Sequence, residues 1–358
     1  VYLSNPLAKM ITLFFIAPFM FHIIKSLPIM LSAIENPQIQ QILTLPSDSD
    51  AGWRRDLERL RNGEVNLSRK NIGENSIKAI QRLFIFLGYS TASSGAFSID
   101  GDFGRGTNRA VAQFRFENNL STTITRATLC YPCTWQTARQ AIVAIPDTLL
   151  DVPSLEKLLS NAVEAIANGQ VNCGNFDVAV EHLNGLHQNR LMTCKQIWER
   201  YGAQAKTAAA QIETELRVAI RPEWILSIIR QETGGVVRPR FEQHLLTKMS
   251  AQMPNTDLAE LRYRSMSFGL GQILGTNFRT VGAASARAMF TSPLDEQLLF
   301  VGRFLAKNRE MAKVVVKKQP VSEDFHTIGK YYNGPGYAKH HYHESIERWF
   351  KEFRSLIG

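Results

Sequence analysis

The clearest helical periodicity in the chain lies between Pro222 and Glu232. An apolar stripe at the helical spacing i, i+3 and i+4 consists of Ile225, Ile228 and Ile229. Glu232 takes the next place on this stripe, while Pro222 suits a first helical turn, where its missing N–H group costs nothing. The pair Gly234-Gly235 favours the left-handed turn that ends a helix. The pattern predicts a helix whose last residue is a carboxylic acid set against an apolar wall.

The position of Glu232 suits acid chemistry. Burial and the negative end of a helix dipole both favour the protonated form of a carboxyl group. A general acid that cleaves a glycosidic bond must be protonated near neutral pH. The same residue can instead be a polar helix end turned towards solvent, and the helical pattern alone does not decide between the two.

The longest apolar segment spans residues 10–34, and it carries no charge between Ile11 and Ile24. An uncharged run of about 14 residues is short for a membrane span and typical of a signal-peptide core. The triplet 31–33, Leu-Ser-Ala, is an imperfect cleavage site. If the segment continues through Lys25, it is instead an uncleaved anchor that attaches the protein to a membrane. The third interpretation is a buried N-terminal helix. Either export interpretation places the rest of the chain in the periplasm or cell envelope.

The other patterns divide the rest of the chain. Residues 35–70 are polar and mixed, which indicates a linker with a short helix around 53–60. Residues 151–211 show helical spacing and are expected to connect to the C-terminal domain or pack beside it. The expected boundaries are 1–34 for the signal peptide or anchor, 35–70 for the linker, 71–150 for a small helical domain, 151–211 for a helical connector and 212–358 for the catalytic domain.

The charge of the chain favours an anionic partner. Lys and Arg number 41 against 32 Asp and Glu, which gives a net charge of +9. A basic surface attracts anionic polymers by long-range forces, and both bacterial envelopes and nucleic acids supply such polymers. The basic residues are scattered, and no Lys/Arg-rich run with interleaved aromatic residues occurs, which argues against nucleic acid.

Two loops in the C-terminal part are suited to sugar binding. Residues 265–275 contain closely spaced glycines, which let the backbone approach a ligand, and an amide side chain that can both donate and accept hydrogen bonds. Residues 329–337 bring three tyrosines and an asparagine into a turn, and tyrosine rings stack on sugars while their hydroxyl groups form hydrogen bonds. The candidate substrate-binding residues are Gly269, Gln272, Ile273, Tyr332, Asn333 and Tyr337.

Taken in order, these motifs resemble the phage-type N-acetylmuramidase domain, a relative in layout of goose-type lysozymes and soluble lytic transglycosylases. The matching stretches are 232–235, 240–246, 267–273 and 332–337, within a similarity that runs from about Glu223 to Phe353. The resemblance implies a mainly α, lysozyme-like catalytic domain that cleaves the N-acetylmuramic acid to N-acetylglucosamine bond of peptidoglycan, without a cofactor or metal. By position, Glu232 maps onto that family's catalytic acid. Gly271 stands where Phe or Met is more usual, and Gln243 where a basic residue is more usual, so the shape of the sugar groove is expected to differ.

A second resemblance covers roughly Asn71 to Ala144. A helical pattern stopped by Gly88, an Asp-Gly-x-Phe-Gly turn over 100–107 and a second helix resemble the three-helix peptidoglycan-binding domain found beside many wall hydrolases. In this turn Thr107 is expected to cap the following helix. The stretch around 130–140 departs from the usual ending of the family, and a helical domain without a ligand is the alternative. The expected wall contacts are Asp102, Phe103, Arg105 and Gln113.

The step that follows protonation depends on a second group. Glu242 is the candidate for positioning water or stabilising charge, although it can instead pair with Arg238, Arg240 or His244. A wide separation of the two carboxyl groups would indicate hydrolysis with inversion, and a short one retention. Without such a carboxylate, the muramic 6-hydroxyl group would attack and give a 1,6-anhydro product, as lytic transglycosylases do. A wall-binding protein that has lost catalysis is the third possibility.

The cysteines and histidines suggest no metal site. For an exported chain, two disulfides, Cys130–Cys133 and Cys173–Cys194, are the economical hypothesis. His182 and His187 lack a third ligand and are expected at the surface. The run 340–344, which contains three histidines and a glutamate, is expected to be a solvated loop, because neighbouring residues seldom all point at one ion.

Overall fold

The computed structural model describes residues 33–47, 52–66, 71–130 and 150–358. Within these ranges the chain is mainly α-helical, as the sequence predicts. None of the helices in the described ranges is long and apolar enough to cross a membrane. The predicted signal peptide or anchor lies almost entirely outside the described residues, as do residues 131–149 of the predicted peptidoglycan-binding domain.

The first half of the described chain is built from short and medium helices joined by turns. Its helices are α1 (Pro37–Leu43), α2 (Trp53–Arg61), α3 (Glu74–Phe86), α4 (Arg105–Glu117), α5 (Arg126–Cys130), α6 (Val152–Ala167), α7 (Phe176–His187) and α8 (Cys194–Leu216), with a 3-10 turn over Asn172–Gly174.

The second half adds a small antiparallel sheet to a helical bundle. Its helices are α9 (Pro222–Glu232), α10 (Gln243–Gln252), α11 (Leu258–Arg264), α12 (Phe278–Val281), α13 (Ala286–Thr291), α14 (Leu294–Lys307), α15 (Arg309–Val315), α16 (Ser322–Tyr332) and α17 (Tyr342–Ile357), with 3-10 turns over Gly275–Asn277 and Tyr337–His340. The sheet has the order β1 (Arg240–Phe241), β2 (Met266–Phe268) and β3 (Ile273–Leu274), and its register pairs Phe241 with Met266 and Phe268 with Ile273.

Helix α9 lies at the centre of the second half, where it packs against α8, α14 and α17. Its residues from Trp224 to Ile229 are all buried, which agrees with the predicted apolar stripe and extends it around the helix. The Trp224 ring lies 4.4 Å from Phe350 and 5.2 Å from Phe325, between centroids. Because partners hold this helix on three sides, its C-terminal end has a fixed position for a functional group.

The unit formed by α3, α4 and α5 is joined to the second half by polar contacts. Arg262 and Glu117 form an ion pair across the junction with a 2.9 Å N–O distance, and both side chains are at most 6% exposed. Arg126 donates hydrogen bonds to the Ser250 hydroxyl group and to three carbonyl groups that follow it. Ala96 forms an isolated β-bridge with the first residue of β1. One continuous hydrophobic core underlies this junction.

Two local predictions for the N-terminal half are corrected by the structure. Helix α2 matches the short helix expected around 53–60, but part of the expected linker folds as α1, whose Ile39, Ile42 and Leu43 are completely buried. Thr107 does not cap α4, which begins at Arg105; its hydroxyl group instead donates to the Asp102 carbonyl group at 2.9 Å. Both errors arise because tertiary contacts outweigh local composition.

The predicted Cys173–Cys194 disulfide is absent, since both thiols are free and buried. The two thiols face different partners: Cys173 lies beside Asn172 and Gln297, and Cys194 beside Arg230 and Glu352. Burial raises the pKa of each thiol to about 12, which keeps it protonated and unreactive. The other predicted pair includes Cys133, which lies outside the described residues.

Candidate active site at the C-terminal end of the central helix

Glu232 is the last residue of α9, as the sequence predicts. The chain turns away immediately afterwards, because Gly234 and Gly235 adopt left-handed conformations with φ angles of 58° and 81°. A Cβ atom at Gly234 would lie 2.5 Å from Leu191, so a larger residue would also be crowded there. The side chain of Glu232 is half-buried, and its carboxyl group is enclosed by protein.

The pKa of Glu232 is raised to about 7, because burial penalises the charged carboxylate more strongly than its one hydrogen bond stabilises it. A substantial fraction of the carboxyl groups is therefore protonated at neutral pH. This is the protonation state that a general acid needs.

Tyr342 is the hydrogen-bond partner of Glu232. The tyrosine opens helix α17, is 4% exposed and donates its hydroxyl proton to Glu232 Oε1 over 2.5 Å. Burial and the nearby carboxylate raise the pKa of Tyr342 well above its ordinary value, so the hydroxyl group remains a donor. The tyrosine thereby fixes the position of the Oε1 oxygen.

The glycine-rich loop between β2 and β3 is held against the acid by Thr233. The Thr233 hydroxyl group contacts the Leu270 carbonyl group at 2.9 Å and the Ile229 carbonyl group at 3.1 Å. A residue adjacent to the acid thus joins the end of α9 to the loop.

Two of the predicted loop residues lie in this loop and its second strand. Gly269 has a φ angle of 75°, and Ile273 is buried in β3, opposite Phe268.

Gln272 adopts an unusual backbone conformation for a residue with a side chain, since its φ angle is 49°. Its amide nitrogen donates to the Gly269 carbonyl group at 3.1 Å, which closes the loop on itself. The residue as a whole is half-buried. A left-handed backbone conformation is uncommon for a residue with a side chain and is found more often at functional sites than elsewhere.

Gly271 provides the space for Tyr332. The Tyr332 hydroxyl group donates to the Gly271 carbonyl group at 2.7 Å. A Cβ atom on Gly271 would lie 2.3 Å from Val301 and 2.8 Å from that hydroxyl oxygen, so this chain requires a glycine where Phe or Met is more usual. Burial and, next, the charge of Glu232 raise the pKa of Tyr332 well above its ordinary value.

The other two residues of the predicted tyrosine loop lie beyond this centre. Asn333 is exposed at the end of α16. The Tyr337 hydroxyl group lies 3.2 Å from Nδ1 of His326, whose ring stacks on His343 at 3.9 Å between centroids. The His343 ring also contacts the Tyr337 ring, so Tyr337, His326 and His343 form one aromatic cluster.

Glu242 forms an ion pair with Arg240 and lies near His244. Its carboxylate lies 2.7 Å from Arg240 Nε and 3.6 Å from His244 Nδ1. The backbone N–H group of Glu242 donates to the Ser265 carbonyl group at 2.8 Å and so connects the residue to the sheet. These are the pairings that the sequence offers as the alternative to a catalytic role.

The four predicted wall contacts separate into two groups. Asp102 and Arg105 are exposed, and Asp102 borders an open cleft of about 390 Å³ beside the start of α3. Phe103 is only 7% exposed but lines the same cleft, whereas Gln113 is 1% exposed and belongs to the interior of the unit. Gln113 is therefore the one predicted wall contact that the structure places out of reach of a ligand.

Sequence reasoning missed the role of Tyr342, because its run of histidines suggested a solvated loop. The run instead begins a helix whose first residue reaches an acid 110 positions earlier in the chain. The amphipathic spacing of Tyr342, Ile346, Phe350 and Phe353, which are all buried, was the available signal for that helix.

Residues 240–354 match the family model of the N-acetylmuramidase domain. The C-terminal part of the chain is therefore similar to muramidase domains, and the matched range begins after Glu232. No curated protein matches the chain. The crystal structure of an endolysin from a Burkholderia AP3 phage is similar at 16% sequence identity, with coverage of 79% of this chain and 95% of that chain and a TM-score of 0.34.

Proposed function

We propose that the protein cleaves the glycosidic bond between N-acetylmuramic acid and N-acetylglucosamine in peptidoglycan, with Glu232 as the general acid. The observation that carries the proposal is the carboxyl group of Glu232, because burial raises its pKa to about 7 and Tyr342 donates a hydrogen bond to it. The muramidase match over 240–354 supports the substrate class.

In the proposed reaction, the protonated carboxyl group of Glu232 transfers its proton to the glycosidic oxygen as the C–O bond breaks. Positive charge develops on the sugar ring, and the carboxylate that remains stabilises it. Tyr342 positions the carboxyl group through the oxygen that it contacts. The loop around Gln272 and the face of Tyr332 are proposed to hold the sugar residues.

Water completes the proposed reaction and gives a reducing-end N-acetylmuramic acid. Glu242 is the proposed group that orients this water or stabilises charge. The pairing of its carboxylate with Arg240 and His244 favours a second outcome, in which the muramic 6-hydroxyl group attacks in place of water. That outcome would make the protein a lytic transglycosylase with the same acid.

Mass spectrometry of the muropeptides released from purified peptidoglycan tests the proposal. Hydrolysis predicts products with reducing-end N-acetylmuramic acid, whereas transglycosylation predicts 1,6-anhydro ends. The absence of any released glycan fragment would contradict both and would leave wall binding as the function.

We also propose that the unit containing α3 and α4 binds the wall through Asp102 and Arg105. The double variant Asp102→Ala/Arg105→Ala should weaken cosedimentation with insoluble peptidoglycan while it leaves the cleavage of soluble fragments unchanged. The double variant Asp177→Ala/Arg309→Ala, which removes the same charges from exposed positions elsewhere, is the matched control. Equal cosedimentation of all three proteins would refute this role.

The proposed substrate requires the protein to be exported to the periplasm or cell envelope. The apolar segment 10–34 is the proposed export signal or anchor. Fusion of this segment to a reporter that folds only after export would test it, and a reporter retained in the cytoplasm would contradict it.

A further inference from the structure

A cavity of about 270 Å³ lies where the unit formed by α3, α4 and α5 meets the second half of the chain. Its floor is the buried ion pair between Glu117 and Arg262, with Tyr89 donating to the same carboxylate at 2.6 Å. The aromatic rings of Tyr263 and Phe290 form an adjoining wall. The volume is close to the lower end of known ligand sites and suits one or two amino acid residues.

The electrostatics of the cavity favour a cation on one side. Helices α3, α4 and α6 all direct their C-terminal ends at it, since its lining includes Phe86, Glu117 and Glu164 from their last turns. Helix C-termini carry partial negative charge and attract cations. The protein already places one cation at such an end, because Arg262 donates to the Gly88 carbonyl group just beyond α3.

Glu164 supplies a full negative charge at the cavity rim. Its carboxylate has no hydrogen-bond or ion-pair partner in the part of the chain that the structure describes. Arg287 lies on the rim as well, where its guanidinium group donates to the Gln170 amide oxygen at 3.2 Å. The rim therefore offers one anion and one cation to a ligand.

Amide groups occupy the wall between these charges. Asn161 donates to the side-chain oxygen of Asn118 at 3.0 Å, and Asn118 donates to the Phe114 carbonyl group at 2.8 Å. This chain of bonds orients both amides and leaves the Asn161 oxygen as an acceptor for an N–H group of a ligand. A neutral sugar would offer no opposite charge to either rim group, whereas a short peptide offers an ammonium, a carboxylate and amide groups.

We propose that this cavity binds the peptide stem of peptidoglycan, with the ammonium group of a diamino-acid side chain on Glu164 and a peptide carboxylate on Arg287. The proposal rests on the proposed function, which identifies peptidoglycan as the polymer in contact with the protein. The stem is the part of that polymer that combines both charges within a few bonds. The cavity then recognises the peptide while the cleft around Glu232 cleaves the glycan.

Calorimetric titration of the full chain with a synthetic stem tetrapeptide that carries a free side-chain amine tests this proposal. Glu164→Gln should weaken binding about tenfold or more, since it removes a charged partner of an ammonium group. Glu156→Gln, on the same helix but outside the cavity, should leave binding unchanged. Acetylation of the peptide amine should weaken binding to the wild type by a similar factor and have no further effect on Glu164→Gln.

Absence of peptide binding at millimolar concentration, or equal binding by the wild type and Glu164→Gln, would overturn the inference. Equal affinity for the free and acetylated peptides would overturn it as well. Glycan cleavage is assayed separately on peptide-free strands, which have no stem to bind. Cleavage of those strands without peptide binding would refute the peptide site alone, and failure to cleave any glycan would refute the proposed function.

Discussion

At the scale of single residues, the chemistry depends on two opposing effects on Glu232. Burial raises the pKa of the carboxyl group, and the hydrogen bond from Tyr342 lowers it, because a donated proton stabilises the carboxylate. The result, a pKa of about 7, keeps the acid protonated on the acidic side of neutrality. The proposed general acid is therefore active below this pKa and inactive above it.

The rate of glycan cleavage should therefore fall as the pH rises through about 7, as Glu232 loses its proton. Tyr342→Phe removes the hydrogen bond but keeps the ring, so the pKa of Glu232 should rise and the alkaline limb of the pH–rate profile should move to higher pH. Rates measured between pH 5 and about 9 on soluble glycan fragments would show this shift. An unchanged profile in a folded Tyr342→Phe protein would contradict the positioning role of the tyrosine.

His182 contributes a second pH effect, on stability. It was expected at the surface but is 3% exposed, and its Nδ1 atom accepts the N–H group of Val237 at 3.0 Å. Burial lowers its pKa from 6.5 to about 4, so the folded protein holds the neutral ring while the unfolded chain takes up a proton below pH 6.5. Above pH 6.5 the ring is neutral in both states and its protonation does not affect stability. As the pH falls from 6.5 towards 4, the free energy of unfolding falls by about 3 kcal/mol, because only the unfolded chain takes up the proton.

Urea unfolding at pH 7 and pH 4.5 would measure this loss. His182→Asn keeps an acceptor for Val237 but cannot be protonated, so its free energy of unfolding should fall less than that of the wild type between the two pH values. An equal fall in both proteins would show that His182 does not cause the effect.

At the scale of elements, the sequence predicted those features of the site that depend on neighbouring residues alone. The stripe of α9, the acid at its end and the glycines that stop it were all visible, because a helix and its C-cap are set by neighbouring residues. Tyr342 was not visible as a partner of the acid, since a contact between α9 and α17 depends on how the helices pack. The same reason hid α1 within a polar segment and the interior position of Gln113 in α4.

The loop between β2 and β3 is predicted to tolerate no side chain at Gly271. Gly271→Ala would place a methyl group 2.3 Å from Val301 and 2.8 Å from the Tyr332 hydroxyl oxygen, so the loop or the tyrosine must move. We expect cleavage to fall by about tenfold or more, because small displacements in an active site are costly. Gly52→Ala, where a Cβ atom would meet nothing within 4 Å, is the control and should keep full activity. Normal activity of Gly271→Ala would exclude this loop from the site.

At the scale of the whole molecule, the buried pair of Arg262 and Glu117 connects the unit formed by α3, α4 and α5 to the second half of the described chain. Arg262→Met would leave an unpaired carboxylate in the interior and should lower the free energy of unfolding by about 3–5 kcal/mol. The double variant Arg262→Met/Glu117→Gln removes both charges and should recover part of that loss. Denaturant unfolding of the three proteins checks this, and a loss below about 1 kcal/mol in Arg262→Met would show that the pair is not needed at the junction.

The central claim, that Glu232 is the general acid of a peptidoglycan glycosidase, is tested most directly by the rate at which Glu232→Gln releases soluble glycan from purified peptidoglycan. The amide keeps the size of the side chain but has no proton to donate to the glycosidic oxygen. The rate is predicted to fall by about 10²- to 10⁴-fold, while cosedimentation with the wall remains at the wild-type level. Release within about threefold of the wild-type rate would contradict the claim and place the acid elsewhere.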